Sequence, residues 1–375
     1  MSDDQDRRFM ARAITLAANG MCTTDPNPRV GCVIVKNNTI VGEGWHERAG
    51  EPHAEVMALQ NAGSQAVDAT VYVTLEPCSH FGRTSPCADA LVTAKVAKVV
   101  VAGTDPNPLV AGQGLDKLKS AGIDVVQGVL QTEAEQLNPG FIKRMRHQLP
   151  YVRCKVAMTM DGRIALVSGE SQWITGEAAR SDVHYYRARS SAIFTGIGTV
   201  LADDPSLNVR MIDRSSPGMK LFTDADQPIR VVMDSQLRTP FNARMLSLSG
   251  QTIIYTLATD AGRRADLEKS GAEVCMAENQ GKRVDLTWVL QDLAARGINE
   301  LMVEAGARIN GALLSEGLID ELVFYIAPSL LGDSALGAFH LPAISTMANK
   351  IQLQVRETRQ IGADWRIIAV PEMRS

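Results

Sequence analysis

At 375 residues, 45% apolar and 21% charged, the chain is too long for one ordinary domain and too apolar for global disorder. A net charge of −4 and a pI near 5.9 withhold the basic field that drives indiscriminate nucleic-acid binding, so an anionic ligand has to be met by a few placed arginines. There is no apolar secretion segment at the start and no apolar run of membrane-spanning length, and six cysteines are too few for a disulfide framework; a multidomain protein of the reducing cytoplasm is expected, with no nucleic-acid or membrane partner.

Taken in chain order, residues 7–19 read as an opening helix. Residues 30–36 and 39–45 read as a β-hairpin turned at Asn37-Asn38, asparagine tolerating positive φ. Residues 54–60 are helical in pattern, and 70–75 and 98–102 are short β-branched runs typical of buried strands. Residues 116–121, closed by Gly122, form another helix. A basic run ending in proline, KRMRHQLP at 143–150, marks a boundary, so the expected domains are 1–148 and 149–375. Beyond it, strands are expected at 151–158, 191–195, 229–234, 252–257, 300–304 and 321–327, with helices at 177–189, 262–270, 286–296 and 308–316. Residues 212–227, rich in Ser, Pro, Gly and Asp, read as a surface loop. Both halves are therefore α/β. The tetrapeptide DPNP occurs at 25–28 and again at 105–108, each readable as an Asx-Pro turn.

The sharpest chemical signal is His53-Ala54-Glu55 followed by Pro77-Cys78 and Cys87. One imidazole and two thiolates leave an open tetrahedral position on zinc, the arrangement of a catalytic site, where the metal brings the pKa of water toward neutrality. Glu55, two residues from a ligand, stands where a carboxylate can shuttle protons. The general pattern belongs to zinc deaminases acting on nucleobase amino groups. A purely structural site would need a fourth ligand, for which His80 is the candidate. The spacing also departs from the general pattern: the second cysteine follows the first by nine residues rather than three.

That insertion, PCSHFGRTSPC, together with Pro26-Asn27-Pro28-x-Val30-Gly31 and Gly44-x-His46-x-x-Ala49-Gly50-x-x-His53-Ala54-Glu55, resembles the deaminase half of the bacterial bifunctional deaminase–reductase family of riboflavin biosynthesis. The resemblance implies a cytidine-deaminase-like α/β/α domain that removes the 2-amino group of a diamino-pyrimidinone ribosylamine 5′-phosphate. His53, Cys78 and Cys87 match its zinc ligands and Glu55 its proton donor. Asn27, His46, and Asp105 or Asn107 fall where the family builds its pyrimidine pocket, and His80 and Arg83 are suited to a ribose phosphate.

The second half carries no GxGxxG and no P-loop. Met302-Val303-Glu304-Ala305-Gly306 reads as a strand entering a helix, where Gly306 and Gly311 would let backbone approach a diphosphate at the helix N-terminus. Lys155-Val156-Ala157-Met158-Thr159-x-Asp161-Gly162, Ser168-Gly169-Glu170-Ser171-x-Trp173-Ile174-Thr175, GxxTVLADDPxL from Gly196 and VEAG…GALL resemble the reductase half of the same family. They imply a dihydrofolate-reductase-like α/β domain using NADPH to reduce the ribosyl group to ribityl. Matching cofactor positions are Ala157, Trp173, Thr199, Asp203 and Gly306-Ala307-Arg308-Ile309-Asn310-Gly311-Ala312. Matching substrate positions are Ser171, Arg187, Leu207, Arg210 and Glu304, with Arg187 and Arg210 suited to grip the 5′-phosphate bidentately. The family's frequent Gly-Gly after the glutamate is Ala305-Gly306 here. The whole resemblance predicts zinc and NADPH as cofactors, phosphorylated pyrimidines as ligands, and a homo-oligomer formed through the reductase domain. The rival readings are a deaminase of another nucleotide or of tRNA, a deaminase with a non-catalytic oligomerisation half, and a structural zinc protein.

Overall fold

The structure, a computed structural model, describes residues 3–79, 86–108, 110–210, 213–281 and 283–372. The chain divides into two compact units, Met1–Gln148 with Asp213–Phe222, and Leu149–Ile212 with Thr223–Ser375.

The first unit runs α1 (Asp3–Ala17), β1 (Gly31–Lys36), β2 (Thr39–Trp45), α2 (Ala54–Ala62), β3 (Thr70–Val73), α3 (Cys87–Thr93), β4 (Lys98–Val101), α4 (Gln113–Ser120), β5 (Asp124–Gln127), α5 (Gln131–Glu135) and α6 (Pro139–His147). Its five-stranded sheet has the order β2-β1-β3-β4-β5, antiparallel at the hairpin side and parallel from β3 to β5. The hairpin turns at Asn37 (φ 51) and Asn38 (φ 63), as the sequence predicts. Alternate strand residues feed opposite faces. Cys32, Ile34, Val71 and Val73 pack with Ala54, Ala58 and Leu91 on one side, and Val33, Val35 and Tyr72 pack with Phe9, Met10 and Ala13 on the other. Small residues let the layers approach: a Cβ on Gly31 would lie 2.0 Å from the Ala13 carbonyl oxygen.

The composition of residues 212–227 predicts a surface loop, and the described part, 213–227, has no α-helix or strand and is buried only at Gly218, Met219 and Phe222. Within the first unit Met219 and Phe222 are buried, and Gly218 (φ 77) sits where a Cβ would lie 2.8 Å from Met21 Cβ. Arg48 Nη2 donates to the Leu221 carbonyl at 2.9 Å. The loop is thereby fastened to Met21 and Arg48 of the first unit.

The second unit contains β6 (Tyr151–Thr159), β7 (Arg163–Ala165), α7 (Glu177–Ala188), β8 (Ala192–Gly196), α8 (Ile197–Asp203), β9 (Ile229–Met233), β10 (Thr252–Thr256), α9 (Ala261–Lys269), β11 (Ala272–Met276), the short pair β12 (Asn279–Gln280) and β13 (Arg283–Val284), α10 (Leu286–Ala295), β14 (Glu300–Val303), α11 (Ala307–Ser315), β15 (Glu321–Ala327), β16 (Leu336–Gly337), β17 (Leu353–Ile361) and β18 (Asp364–Pro371). The nine-stranded sheet has the order β11-β10-β9-β8-β14-β6-β15-β18-β17. Strands β11 through β15 in that order are parallel, and β18 and β17 add antiparallel. Helices α10 and α11 pack on one face through Val289, Leu293 and Leu313, and α7 packs on the other through Ala179, Val183 and Tyr186. The β17–β18 hairpin escapes the sequence reading because β17 is almost wholly exposed and carries no period-two alternation of burial.

Candidate active sites

His53 caps the N-terminus of α2, Cys78 follows β3, and Cys87 is the first residue of α3. Their ligand atoms all lie within 4.8 Å of one another. His53 Nδ1 is 3.6 Å from Cys78 Sγ and 3.3 Å from Cys87 Sγ. Tetrahedral zinc with ordinary Zn–S and Zn–N bonds needs N···S edges of about 3.5 Å, so the donor set fits the ion in both chemistry and spacing. The Cys87 N–H, at the start of its helix, donates to Cys78 Sγ at 3.3 Å and stabilises negative charge there. The two thiols titrate as a pair: the Cys87 thiol hydrogen-bonded to Cys78, and then His53, hold Cys78 well below the ordinary thiol range, while that same bond and burial hold Cys87 above it. A dication takes the place of their shared proton.

Glu55 lies in the first turn of α2, buried beside the triad. Burial, and then the negative charge of Cys78, push its carboxyl up to about 7. His46 is buried beside His53, their rings edge-to-face at 5.2 Å. Its Nδ1 is 3.1 Å from the Pro52 carbonyl oxygen and its Nε2 is 3.1 Å from Asn27 Nδ2, so the ring is assigned as the neutral Nδ1–H tautomer accepting from Asn27. Burial lowers its basicity in keeping with that form. In the second DPNP, Asp105 Oδ1 accepts from the Asn107 N–H at 2.8 Å, the expected Asx turn. His80 and Arg83 lie outside the described residues.

One residue escaped the sequence reading. Glu76, buried just before Pro77-Cys78, accepts from the N–H groups of Asp105 (3.1 Å), Gly112 (3.0 Å) and Gly114 (2.9 Å). It ties the second DPNP loop to the segment carrying Cys78. Its signal in the sequence is a lone carboxylate closing an apolar strand directly before the Pro-Cys pair.

In the second unit, Glu304 follows β14, and its carboxylate gathers cations. Arg187 grips it through Nε (2.6 Å) and Nη2 (3.0 Å), and Lys155 Nζ, from β6, lies 3.2 Å away. Although burial opposes ionisation, Arg187 and then Lys155 hold the carboxyl well below the usual carboxylate range. The bidentate phosphate grip expected of Arg187 is thereby narrowed: its Nε/Nη2 edge is closed on Glu304 and Nη1 donates to the Asn208 carbonyl at 3.0 Å. Only the outer hydrogens of its Nη groups remain for an anion. Arg210 is exposed, with Nη1 donating to Asn208 Oδ1 at 2.8 Å.

Ser171 Oγ and Asp203 Oδ1 meet at 3.4 Å. Trp173 is 71% exposed, with the Arg180 guanidinium 4.6 Å from its ring centroid. Thr199 is half-buried on α8 and Ala157 half-buried on β6. Gly306 is the N-cap of α11, and the direction of a Cβ there is open, so the amides of the first turn are approachable from that side. Three of the expected positions are packed on the side-chain side. A Cβ on Gly311 would lie 2.1 Å from the His340 carbonyl oxygen, so the glycine lets the helix pack against that loop. Asn310 is buried with Nδ2 donating to the Ala338 carbonyl at 3.4 Å, pointing into the fold. The Leu207 side chain is buried among Ile193, Val200 and Met245, which leaves only its backbone for a ligand.

Residues 3–103 match the model of the cytidine and deoxycytidylate deaminase zinc-binding region, and residues 150–367 match that of the RibD C-terminal domain. Together with the His–Cys–Cys triad, these matches define a two-unit α/β enzyme with a zinc-binding deaminase region ahead of a reductase domain. The riboflavin biosynthesis protein RibD of Escherichia coli (strain K12) is 49% identical over 362 residues, covering 96% of this chain and 98% of that one. Its namesake from Haemophilus influenzae is 47% identical over 98% of each. Acinetobacter baumannii RibD, form 2, superposes with a TM-score of 0.90 at 45% identity, covering 99% of this chain and 100% of that one. A Thermotoga maritima diaminohydroxyphosphoribosylaminopyrimidine deaminase/5-amino-6-(5-phosphoribosylamino)uracil reductase superposes at 0.86 with 30% identity, covering 99% of this chain and 100% of that one. The chain belongs to the RibD family.

Proposed function

We propose that the chain catalyses two consecutive steps of riboflavin biosynthesis: hydrolytic deamination of 2,5-diamino-6-(5-phosphoribosylamino)pyrimidin-4(3H)-one, then NADPH-dependent reduction of the ribosyl group to ribityl. The observation that carries the reading is the pairing, in one chain, of a His–Cys–Cys–Glu deaminase site with a Lys–Glu–Arg cluster beside an open helix N-terminus.

His53, Cys78 and Cys87 hold zinc, which when bound acidifies the attacking water. Glu55 would carry one proton of that water to the ring nitrogen and then the second, from the resulting hydroxyl, to the amino group, which departs as ammonia as the carbonyl forms. His46 and Asn27 form a fixed polar wall beside His53, and Glu76 holds the loop carrying Asn107. In the second unit Ser171, Trp173, Asp203 and the Gly306 turn form the cofactor side, where NADPH when bound supplies hydride to the sugar carbon. Glu304, held ionised, orients Lys155 and Arg187 and is not itself a proton source. Arg187 and Arg210 take the phosphate.

A homo-oligomer formed through the second unit is part of this reading, supported by the exposed apolar groups Val355 (58%) and Trp365 (42%) on its β17–β18 edge. Among the described residues no helix is long and apolar enough to cross a membrane. A cytoplasmic setting is supported by six cysteines that are all unbridged. The test supplies the diamino-pyrimidinone phosphate and follows ammonia release together with NADPH absorbance. Both signals are expected in sequence, and ammonia without NADPH oxidation would overturn the two-step reading.

A further inference from the structure

Residues 207–210 carry Arg210 to the cluster around Glu304, and this stretch is held with unusual thoroughness for a loop. Leu207 (φ 45) anchors its start in the core. At Val209 the Gln227 carboxamide acts as a strand surrogate: the Val209 N–H donates to Gln227 Oε1 at 2.8 Å, and Gln227 Nε2 donates to the Val209 carbonyl at 2.9 Å. The Asn208 carbonyl accepts from Arg187. The last fastening is His184 on α7, buried at 4% exposure, whose Nδ1 accepts from the Arg210 N–H at 3.3 Å. His184 precedes Arg187 by three residues, so both rise from one helix face toward the loop.

Electrostatics favours an uncharged group at this point. Lys155, Arg187 and Arg210 face the single carboxylate of Glu304, an excess of two positive charges that suits a phosphate near its dianionic form. Another cation would be repelled. Burial, and then Arg187 and Arg210, push the His184 ring down to about 4, which keeps it neutral and able to accept a hydrogen bond.

We propose that His184 is a positioning residue for the anion site of the reductase: its imidazole pins the backbone of Arg210, so that the Arg187–Arg210 pair is set for a phosphate ester before the ligand arrives. The inference rests on the reading of that pair as the phosphate site. A preset pair avoids the loss of loop and side-chain freedom on binding and discriminates a phosphorylated from an unphosphorylated sugar.

The test uses the full-length enzyme loaded with zinc. NADPH oxidation is measured with 5-amino-6-(5-phosphoribosylamino)uracil and with its dephosphorylated counterpart. His184→Ala is expected to raise KM for the phosphorylated compound about tenfold, the effect of one lost buried hydrogen bond. KM for the dephosphorylated compound, kcat, and ammonia release from separately supplied diamino-pyrimidinone phosphate should stay within about threefold of wild type. His184→Asn, whose Oδ1 replaces Nδ1 as acceptor, should recover most of the phosphate preference, and His184→Gln, which displaces the acceptor, should not. If His184→Ala fails to fold, the Asn and Gln pair carries the comparison. Arg210→Ala separates the two ideas. If it leaves phosphate preference intact, the phosphate-site reading falls. If it removes the preference while the His184 variants keep it, or raise both KM values alike, the positioning role is overturned.

Discussion

Gly114→Ala tests whether the deaminase centre is held by a contact that no motif reveals. Gly114, in the first turn of α4, lies against the chain just before Cys78, where an added Cβ would stand 2.0 Å from the Pro77 carbonyl oxygen and 3.2 Å from Glu76 Oε1. An ordinary C···O contact is about 3.4 Å, so α4 and the Pro77–Cys78 segment have to separate by about 1 Å or more. Overpacking of this kind costs about 1–3 kcal/mol. Weakening the 2.9 Å bond from the Gly114 N–H to Glu76 adds about 1.5–3 kcal/mol, because the acceptor is a buried carboxylate. The first unit is thus expected to lose about 2.5–6 kcal/mol. Metal–ligand bonds tolerate only about 0.2 Å, so zinc affinity should fall by about 10- to 100-fold. Zinc is measured by competition with a chromophoric chelator, stability by denaturant titration, and ammonia release alongside NADPH oxidation of separately supplied 5-amino-6-(5-phosphoribosylamino)uracil, which should persist. Gly103→Ala is the control, since its Cβ would meet only Gln131 Cγ at 3.9 Å. Wild-type zinc affinity and stability in Gly114→Ala would refute the reasoning.

Glu55→Gln should retain zinc and lose deamination by about 10²- to 10⁴-fold, measured as ammonia release and metal content in one sample; an active variant would remove Glu55 from the proton path. Glu304→Gln leaves Arg187 and Lys155 without their shared counter-charge, so NADPH oxidation should disappear and the second unit should lose about 3 kcal/mol in denaturant titration, while ammonia release persists. The depressed basicity of His184 gives a pH signature. Its folded value near 4 lies below an unfolded value of about 6.5, so between them the unfolded chain binds more protons. Stability should therefore be fully present above pH 6.5 and fall by no more than about 3 kcal/mol as pH drops to 4. His184→Asn should flatten that slope when the two proteins are unfolded in parallel.

What the sequence determined was local in character. His53 and Glu55 are two residues apart on one helix start, so their proximity follows from covalent spacing alone. Asn37-Asn38 dictates its own turn, and alternating or continuous apolar runs mark the strands that are buried. Cys78 and Cys87 were legible because a three-ligand zinc site is a short list of residue types in a fixed order. Tertiary structure decided the rest, because the partners are distant in the chain. Glu76 closes on amides 29 to 38 residues away, and Gly114 matters only because the Pro77 carbonyl happens to lie against it. Gly311 resembles a ligand-approach glycine until the His340 backbone is seen to fill its side. The 213–222 loop is fastened to residues nearly two hundred positions earlier, Cys22 lying against the Pro217 carbonyl, which composition cannot encode. Length and charge allowed two or more domains with a few placed arginines. Only folding decided which edges of those arginines remain for an anion, since Arg187 is already closed on Glu304 by a pairing across 117 residues.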